Sequence, residues 1–570
     1  MADRATPQWT VPLREQTSGL DHLGLGSVGN QQVLVRLLPD IYVQTVHPGY
    51  LSFYAFVLDE FWRRDDLPRT RASWRRFYRS TEVVFSVAAN MCEHPDYDGD
   101  FGSIVGSNRT RELAGDPPTG GIDTGLDYMK SAFGGYGLYY RSPMVAMGLV
   151  YPAPENGQPV DLPTERGQEL AEAFRERIAK TVYRKRHFRA ERVPAGAVAG
   201  YGEVACPCRL RDGAPDLDAV RDVYLHGGPP ATSAARRASL RMVLDLADQT
   251  DGTALDQPSF RQLLYFGRCE DGAEWNPRSD LEEPQGQLGI VDTWRRWRLY
   301  QAREFYAFGL DGLWRWLVDW GLDNEGDLRP IAISDAITAL RQSIDGAALG
   351  EALDIRLPSF GPQAKVGASI RRLLRSAGEP EIAPSDDPSW PDRRFDVSAD
   401  LTEWSLYRVT NRGAAEPAVV ISACLAVMML VGARFDLPQL RMREDWTFAQ
   451  FGGLQRLSLN GFISGLRHRI DEGATIGDLA EWLVRDYVIS QHLRVAAAKL
   501  PFNTYRFVRE GDRLRFFDRT RPIGMNSARF EALSYTMSGI GFVEPLTFDD
   551  HPLTDAGSEL LERGDWSVKP

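Results

Sequence analysis

Two cysteines separated by one residue, Cys206-Pro207-Cys208, carry side chains that could bind a metal. With His226 and Cys269 further along the chain, they would offer zinc the sulfur and nitrogen ligands that it prefers. Zinc knuckles, however, use pairs of cysteines separated by two residues, so this spacing matches no ordinary structural site. We therefore expect buried thiols here, with no metal ion and no cofactor.

A second pattern with chemical potential is the glycine triplet Gly24-x-Gly26-x-x-Gly29. In a dinucleotide-binding enzyme this spacing cradles a pyrophosphate, after a buried strand and about 20 residues before an acidic residue at the end of a second strand. The residues before Gly24 are polar and turn-like, and no second strand with a terminal acid follows. We interpret the triplet as a flexible entry loop.

Other signatures of catalysis or metal binding are incomplete. Residues 96–100 resemble a calcium loop, but the glycine comes two positions too early and Ser107 replaces the bidentate glutamate. The sequence contains no G-x-S-x-G and no H-E-x-x-H. This favours a non-enzymatic role. The alternative is an enzyme, such as a hydrolase or a nuclease-like enzyme, whose Asp, Glu and His residues, His94 among them, assemble from distant segments.

Two segments concentrate basic residues. Residues 63–79 contain seven arginines interleaved with Trp74, Phe77 and Tyr78, a mixture able to hold phosphates and stack bases, and residues 175–192 contain eight arginines or lysines. The alternative is a solvated helix face that pairs with the acids of the protein. The predicted nucleic-acid contacts are Arg71, Arg75, Arg76, Arg79, Arg175, Arg177, Lys180, Arg184, Lys185, Arg186, Arg189 and Arg192.

The composition of the 570 residues sets the broad class. Hydrophobic residues make up 43% and charged residues 25%, which predicts a folded protein of several domains. Five cysteines and an N-terminus without a signal pattern indicate a reducing, cytoplasmic location. We interpret the apolar stretch 417–433 as a buried core helix, so no membrane contact is expected. A net charge of −12 opposes wholesale coating of nucleic acid and confines such contacts to local patches.

One pattern occurs twice along the chain. Residues 147–152 lead after a polar loop to 162–170, and residues 540–545 lead to 553–560. In each copy a helix ends at glycine, a short strand follows, a loop turns back, and a threonine caps the next helix. The pattern resembles the winged-helix families of bacterial transcription regulators, whose last helix often follows L-T-x-x-G-x-x-L. The second copy fits this phrase directly, whereas the first has Pro163 before its threonine.

The loops of both copies, 150–161 and 543–552, are acidic or neutral, so their carboxylates would repel phosphate. We therefore expect these modules to contact proteins, and the arginine segments to contact DNA. A helix-hairpin-helix could produce the same pattern.

The elements that must position these residues are mostly helices. Residues 72–89 predict a helix, and 505–518 a β-hairpin that turns at Gly511-Asp512. We expect a mainly α, multidomain protein in which a helical core carries two winged-helix-like modules. The predicted segments are an N-terminal helical domain (1–125), a winged-helix-like module with a basic helix (126–200), a central helical domain (201–375), a linker (376–400) and a C-terminal helical plus winged-helix-like domain (401–570).

The N-terminal region contains Leu37-Leu38-Pro39, then Thr45, then residues 50–54 (YLSFY). This resembles the opening of uncharacterised bacterial proteins found in defence islands near helicases and phospholipase-D-like nucleases. Those proteins often have glycine where this chain has Asp40, and arginine where it has Gly49. The resemblance implies a role in defence against foreign DNA, and it transfers no catalytic residue.

Together these features predict a non-enzymatic subunit of a bacterial assembly that contacts DNA backbone and partner proteins such as an ATPase, helicase or nuclease. A transcription regulator is a further alternative, but it would require a dimer and a basic wing.

The sequence predicts that truncating Arg184, Lys185 and Arg186 together weakens DNA binding and flattens its salt dependence, because fewer phosphates are neutralised. Binding isotherms at several salt concentrations test this. Parental binding by the triple variant would contradict the assignment of the segment to DNA.

Overall fold

A computed structural model describes residues 21–94, 101–131, 133–211, 213–281, 288–324, 329–357, 360–379, 389–411, 415–500, 504–519 and 524–566. Helices account for 61% and strands for 5%, which confirms the mainly α class. The loop that resembles a calcium site, 96–100, lies outside the described residues, as does the middle of the predicted linker, 380–388.

The α-helices are α1 (Leu25–Val28), α2 (Val35–Leu37), α3 (Gly49–Trp62), α4 (Arg71–Met91), α5 (Ser107–Gly115), α6 (Arg141–Ala146), α7 (Glu165–Ile178), α8 (Ala195–Ala205), α9 (Leu217–His226), α10 (Pro230–Thr250), α11 (Gln257–Phe266), α12 (Ile290–Asn324), α13 (Ile333–Gln342), α14 (Gly346–Leu353), α15 (Val366–Ser376), α16 (Glu403–Thr410), α17 (Pro417–Arg434), α18 (Pro438–Arg441), α19 (Thr447–Gln450), α20 (Leu459–Asp471), α21 (Ile476–Trp482), α22 (Ser490–Ala498), α23 (Phe530–Gly539) and α24 (Asp555–Arg563). The strands are β1 (Ile122–Asp123), β2 (Val150–Tyr151), β3 (Leu162–Pro163), β4 (Arg192–Val193), β5 (Ile331–Ala332), β6 (Phe507–Glu510) and β7 (Arg513–Phe516).

The chain forms two compact units, each built from three stretches. The first unit comprises Met1–Val35, Arg261–Glu274 and Trp294–Ser527, and the second comprises Arg36–Phe260, Trp275–Thr293 and Ala528–Pro570. The division into five sequential segments stays a prediction.

The first unit is organised around α17. This helix packs against α14, α15, α16 and α20. It is long and apolar enough to cross a membrane, but most of it is buried inside the unit. A helix that is apolar on all sides belongs in a core when its neighbours cover it, as the sequence predicted. The predicted hairpin is also confirmed, since β6 and β7 pair antiparallel around Gly511, with β5 on the other edge of β7.

The second unit has an aromatic core between its long helices. α3 packs against α7, and α4 packs against α8 and α5. Phe53 of α3 stacks on Phe85 of α4 with ring centroids 3.9 Å apart, and Phe174 of α7 lies 6.2 Å from Phe53. The helices α4 and α8 pack in this core, and cysteines lie at the C-terminal ends of both.

The repeated pattern forms the same backbone corner twice in the second unit. In the first copy β2 pairs with β3. Gly148 adopts the left-handed φ of 74°, and Thr164 accepts a bond from Gly167 N at 3.1 Å while its hydroxyl donates to Gly148 O at 2.7 Å. The helix, two-strand, helix order predicted for this copy is therefore present.

The second copy repeats these bonds. Gly541 has a φ of 66°, Val543 bridges Leu553, and Thr554 accepts from Gly557 N at 3.1 Å and donates to Gly541 O at 2.7 Å. Sequence similarity between the copies thus reflects a shared local geometry.

Helices α4 and α8 approach closely at Gly202. A Cβ atom at this position would lie 2.4 Å from the carbonyl oxygen of Ala88 on α4. Gly200, one half-turn earlier on the same helix, has open space where its Cβ would stand. Residue 202 therefore has to be glycine for the helices to pack at this distance.

We expect Gly202→Ala to destabilise the protein by roughly 1–3 kcal/mol, because the methyl group overlaps backbone that cannot move aside. Gly200→Ala is the matched control, and it should stabilise by about 0.5–1 kcal/mol through helix propensity. Urea unfolding of both variants measures the difference. Equal stability of the two would show that the helices do not meet at Gly202.

A fully buried carboxyl group, Glu82, lies midway along α4. It accepts hydrogen bonds from the hydroxyls of Tyr54 and Tyr128 and, at 3.1 Å, from Gly135 N. These donors favour the ionised form, but burial outweighs them and raises the pKa of Glu82 to about 7.

In the folded protein the pKa of Glu82 exceeds the ordinary value of 4.5. The protonated side chain of Glu82 therefore contributes to the stability of the fold at low pH. That contribution is lost as the pH rises through 7, by up to about 3 kcal/mol. Glu82→Gln should remove this part of the pH dependence, whereas Glu112→Gln, at an exposed position on α5, should keep it. Urea unfolding at about pH 5 and about pH 8 tests this. Identical pH dependence in all three proteins would contradict the raised pKa.

Candidate metal centre and basic surface

Four side chains with metal-binding atoms converge in the second unit: Cys92, His94, Cys206 and Cys208. Their ligand atoms all lie within 4.8 Å of one another, and no other group of three or more such side chains forms among the described residues. Cys92 Sγ is 3.6 Å from Cys208 Sγ, and Cys206 Sγ is 3.6 Å from His94 Nδ1. All the cysteines are free thiols. We name this group the cysteine–histidine cluster.

Helix ends position all four residues. Cys92 follows directly on the last residue of α4, and His94, two residues later, takes a left-handed φ of 45°. Cys206 follows the last residue of α8, and Cys208 lies in the single 3-10 turn Pro207–Leu210 that comes next. Because α4 and α8 pack so closely at Gly202, their C-terminal ends meet and bring the two pairs together.

The cluster sits in an apolar pocket. Ala89, Phe101 and Ile104 are buried around the thiols, and Tyr535 packs against them. The His94 ring stacks on Phe101 with centroids 4.3 Å apart, and Phe101 also stacks on His47 at 3.9 Å. These contacts fix the orientation of the His94 imidazole.

Charge is distributed unevenly over the cluster. Hydrogen bonds from the thiols of Cys206 and Cys208 lower the pKa of Cys92, whereas burial raises the pKa of Cys206 well above its ordinary value. Arg177 donates to the carbonyl oxygens of Val204 at 2.8 Å and Cys206 at 2.9 Å, which anchors the end of α8. Three thiols and one imidazole are ligands suited to a soft metal ion.

The sequence identified half of this cluster. Cys206 and Cys208 were candidates, but their partners are Cys92 and His94 instead of His226 and Cys269. His226 lies 3.3 Å from Asp565, and Cys269 belongs to the first unit. The missed pair is 116 positions from its partners, measured from Cys92 to Cys208. The sequence signal that could have identified the missed pair is its likeness to the first pair. In each pair one residue separates the two ligands, and the pair lies at the end of a helix.

The two basic segments meet around Phe188. Its ring lies 6.2 Å from Phe77 of α4 and 5.9 Å from Phe56 of α3. The guanidinium groups of Arg184 and Arg64 stand over it at 4.5 Å and 5.4 Å. Segments that are far apart in sequence therefore meet in the second unit. We name the exposed parts of residues 63–79 and 175–192 the basic surface.

Acidic side chains form ion pairs with half of the predicted nucleic-acid contacts. This agrees with the alternative interpretation, in which a helix face pairs with the acids of the protein. Glu60 forms ion pairs with both Arg175 and Arg184, each with a nitrogen–oxygen distance of 2.9 Å. Arg71 donates to the carbonyl oxygen of Pro159 at 3.4 Å. The remaining ion pairs are Arg79–Asp127, Arg175–Asp59, Arg175–Glu172, Arg177–Asp216, Arg189–Asp66 and Arg192–Asp123.

Six of the predicted contacts are exposed and make no ion pair among the described residues. They are Arg71, Arg75, Arg76, Lys180, Lys185 and Arg186.

The aromatic residues of the first segment do not serve as predicted. Trp74, Phe77 and Tyr78 are buried, so they cannot stack on bases. Their face of α4 packs inward, with Trp74 against Phe61 at 5.3 Å and against Tyr136 at 5.7 Å.

The glycine triplet lies in the first unit and begins a helix instead of forming a flexible loop. Gly24 has a φ of 80°, and α1 starts at Leu25. The carboxylate of Asp21 accepts bonds from Gly26 N at 3.0 Å and Ser27 N at 2.7 Å. An acidic side chain therefore occupies the place where a pyrophosphate would bind, and it orders the segment.

The first unit also contains a cavity of about 520 Å³ beside this helix, lined by both polar and apolar residues. Burial raises the pKa of Asp311, on the cavity wall, to about 7, and the charge of Asp21 adds to the effect. Glu304, also on the wall, pairs with Arg303 at 2.7 Å and accepts a bond from Asn526 N.

His94, the histidine of the enzyme alternative, belongs instead to the cysteine–histidine cluster.

Comparison with known proteins finds no match: no family model, no curated protein and no solved structure matches this chain.

Proposed function

We propose that the protein is a non-enzymatic subunit that binds the backbone of double-stranded DNA through the basic surface of the second unit. One observation supports this: two basic segments far apart in sequence meet around Phe188, and six exposed cations on them have no acidic partner among the described residues. Phosphate neutralisation requires concentrated cations, and in a protein of net charge −12 such a concentration has to be local.

The paired and unpaired cations would have different tasks. Arg175 and Arg184, held by Glu60, fix the shape of the surface. The unpaired side chains on α4 and in the stretch 180–186 that follows α7 are free to reach phosphates. Because the aromatic residues of α4 are buried, the surface offers few groups that read bases. We therefore propose binding with steep salt dependence and little sequence preference.

We further propose that the two repeated corners are winged-helix-like modules that contact partner proteins, such as an ATPase, helicase or nuclease. Their loops are acidic or neutral, which suits protein contact better than phosphate contact. Within the second unit, both copies contact α9 or the residues that follow it directly. Gly228 approaches the end of α6 in the first copy, and Arg221 donates to Ile540 O at 2.8 Å in the second. The N-terminal resemblance supports a bacterial assembly that handles foreign DNA.

The test uses one double variant in each segment, Arg75→Ala with Arg76→Ala, and Lys185→Ala with Arg186→Ala. Each should weaken binding and reduce the slope of log affinity against log salt by up to about 2, one for each phosphate that is no longer neutralised. Fluorescence anisotropy with a short duplex, at several salt concentrations, measures the slope. Arg184 is left intact because it pairs with Glu60 and covers Phe188.

The matched control is Arg109→Ala with Arg111→Ala, which removes the same charge from two exposed arginines on α5. It should leave the slope unchanged. Parental slopes in both test variants, or an equal reduction in the control, would contradict DNA binding by this surface. A duplex of scrambled sequence should bind equally well.

A further inference from the structure

We propose that Cys92, His94, Cys206 and Cys208 bind one zinc ion in a closed structural site. Tetrahedral zinc, with bonds of about 2.3 Å to sulfur and about 2.0 Å to nitrogen, holds two sulfurs about 3.8 Å apart and a sulfur and a nitrogen about 3.5 Å apart. Cys92 Sγ and Cys208 Sγ are 3.6 Å apart, as are Cys206 Sγ and His94 Nδ1, and all four ligand atoms lie within 4.8 Å of one another. A small contraction of the cluster would complete the tetrahedron.

The ligand types select the metal. Thiolates and imidazole suit zinc, whereas magnesium and calcium require oxygen ligands, and the described cluster offers none. Four protein ligands leave no open position for water or substrate, which is the arrangement of structural zinc sites and not of catalytic ones.

A disulfide does not explain the cluster, and simple packing of reduced thiols explains it less well than a metal ion does. The 3.6 Å between Cys92 Sγ and Cys208 Sγ is far longer than a disulfide bond of about 2.05 Å. Nδ1 of His94 points to the thiol of Cys206 instead of a carbonyl or carboxylate, although a ring nitrogen in an apolar pocket needs a strong partner. A metal ion would satisfy that nitrogen and all three sulfurs at once.

The surroundings suit a charged centre. Three thiolates, one neutral imidazole and Zn²⁺ carry one net negative charge. The guanidinium of Arg209, which interacts electrostatically with Cys92 and Cys208, would balance that charge. The stacked rings of Phe101 and His47 hold the imidazole in place. The three thiols are buried, but His94 is partly exposed, which provides a path for the metal.

The site would join the C-terminal ends of α4 and α8 and close a loop of more than a hundred residues. Its free energy of metal binding would add directly to the stability of the second unit. This inference does not depend on DNA binding.

The first experiment is elemental analysis of the full-length protein purified without chelators. We expect about one zinc ion per chain. Cys206→Ser combined with Cys208→Ser should lose it, whereas Cys269→Ser, in the first unit, should retain it. His94→Cys keeps four ligands and should retain zinc, but His94→Ala should bind it less tightly.

A second measurement on the unaltered chain covers the case in which the double variant does not fold. The metal is removed with a chelator under reducing conditions and Co²⁺ is added. A thiolate-to-cobalt charge-transfer band with intense tetrahedral d–d bands, and a lower melting temperature that zinc restores, would support the site. Only trace metal with no such spectrum, iron in place of zinc, a Cys92–Cys208 disulfide, or full zinc content in a folded double variant would each overturn it.

Discussion

The close approach of α4 and α8 is the constraint on which the second unit depends. A side chain at Gly202 would collide with the backbone at Ala88 and separate the helices. Their contact brings the ends of both helices together, so that Cys92 and Cys206 can meet. It also lets Tyr201 of α8 pack against Tyr183 at 4.6 Å, which links α8 to the turn that carries the second basic segment. One glycine therefore supports both the cysteine–histidine cluster and the basic surface.

The basic surface shows how an acidic protein can present a local positive charge. Glu60 and its neighbour Asp59 hold arginines of the two segments in fixed positions. Bringing these arginines together without the acids would be opposed by mutual repulsion. The acids therefore support the proposed function, because they organise the surface while other lysines and arginines of the two segments stay exposed.

Much of the fold could be predicted from the sequence. The helix expected over 72–89 is α4, the apolar stretch 417–433 is a buried helix, and both copies of the repeated corner form. The predictions that were wrong concern side chains whose environment is set from a distance. Trp74 looked available for stacking, but its face of α4 is covered by α3. The glycine triplet looked like a loop, but Asp21 orders it as a helix start.

The sequence by itself determined the features with short range: helix periodicity, threonine caps, glycine turns and the positions of the charges. These depend on backbone geometry and on neighbours within a few residues, so a local pattern is sufficient. The tertiary structure alone decided which arginines are paired and which cysteines meet. Those outcomes depend on contacts between elements that lie far apart along the chain, and packing between helices, not spacing along the chain, places Cys92 and His94 beside Cys206 and Cys208.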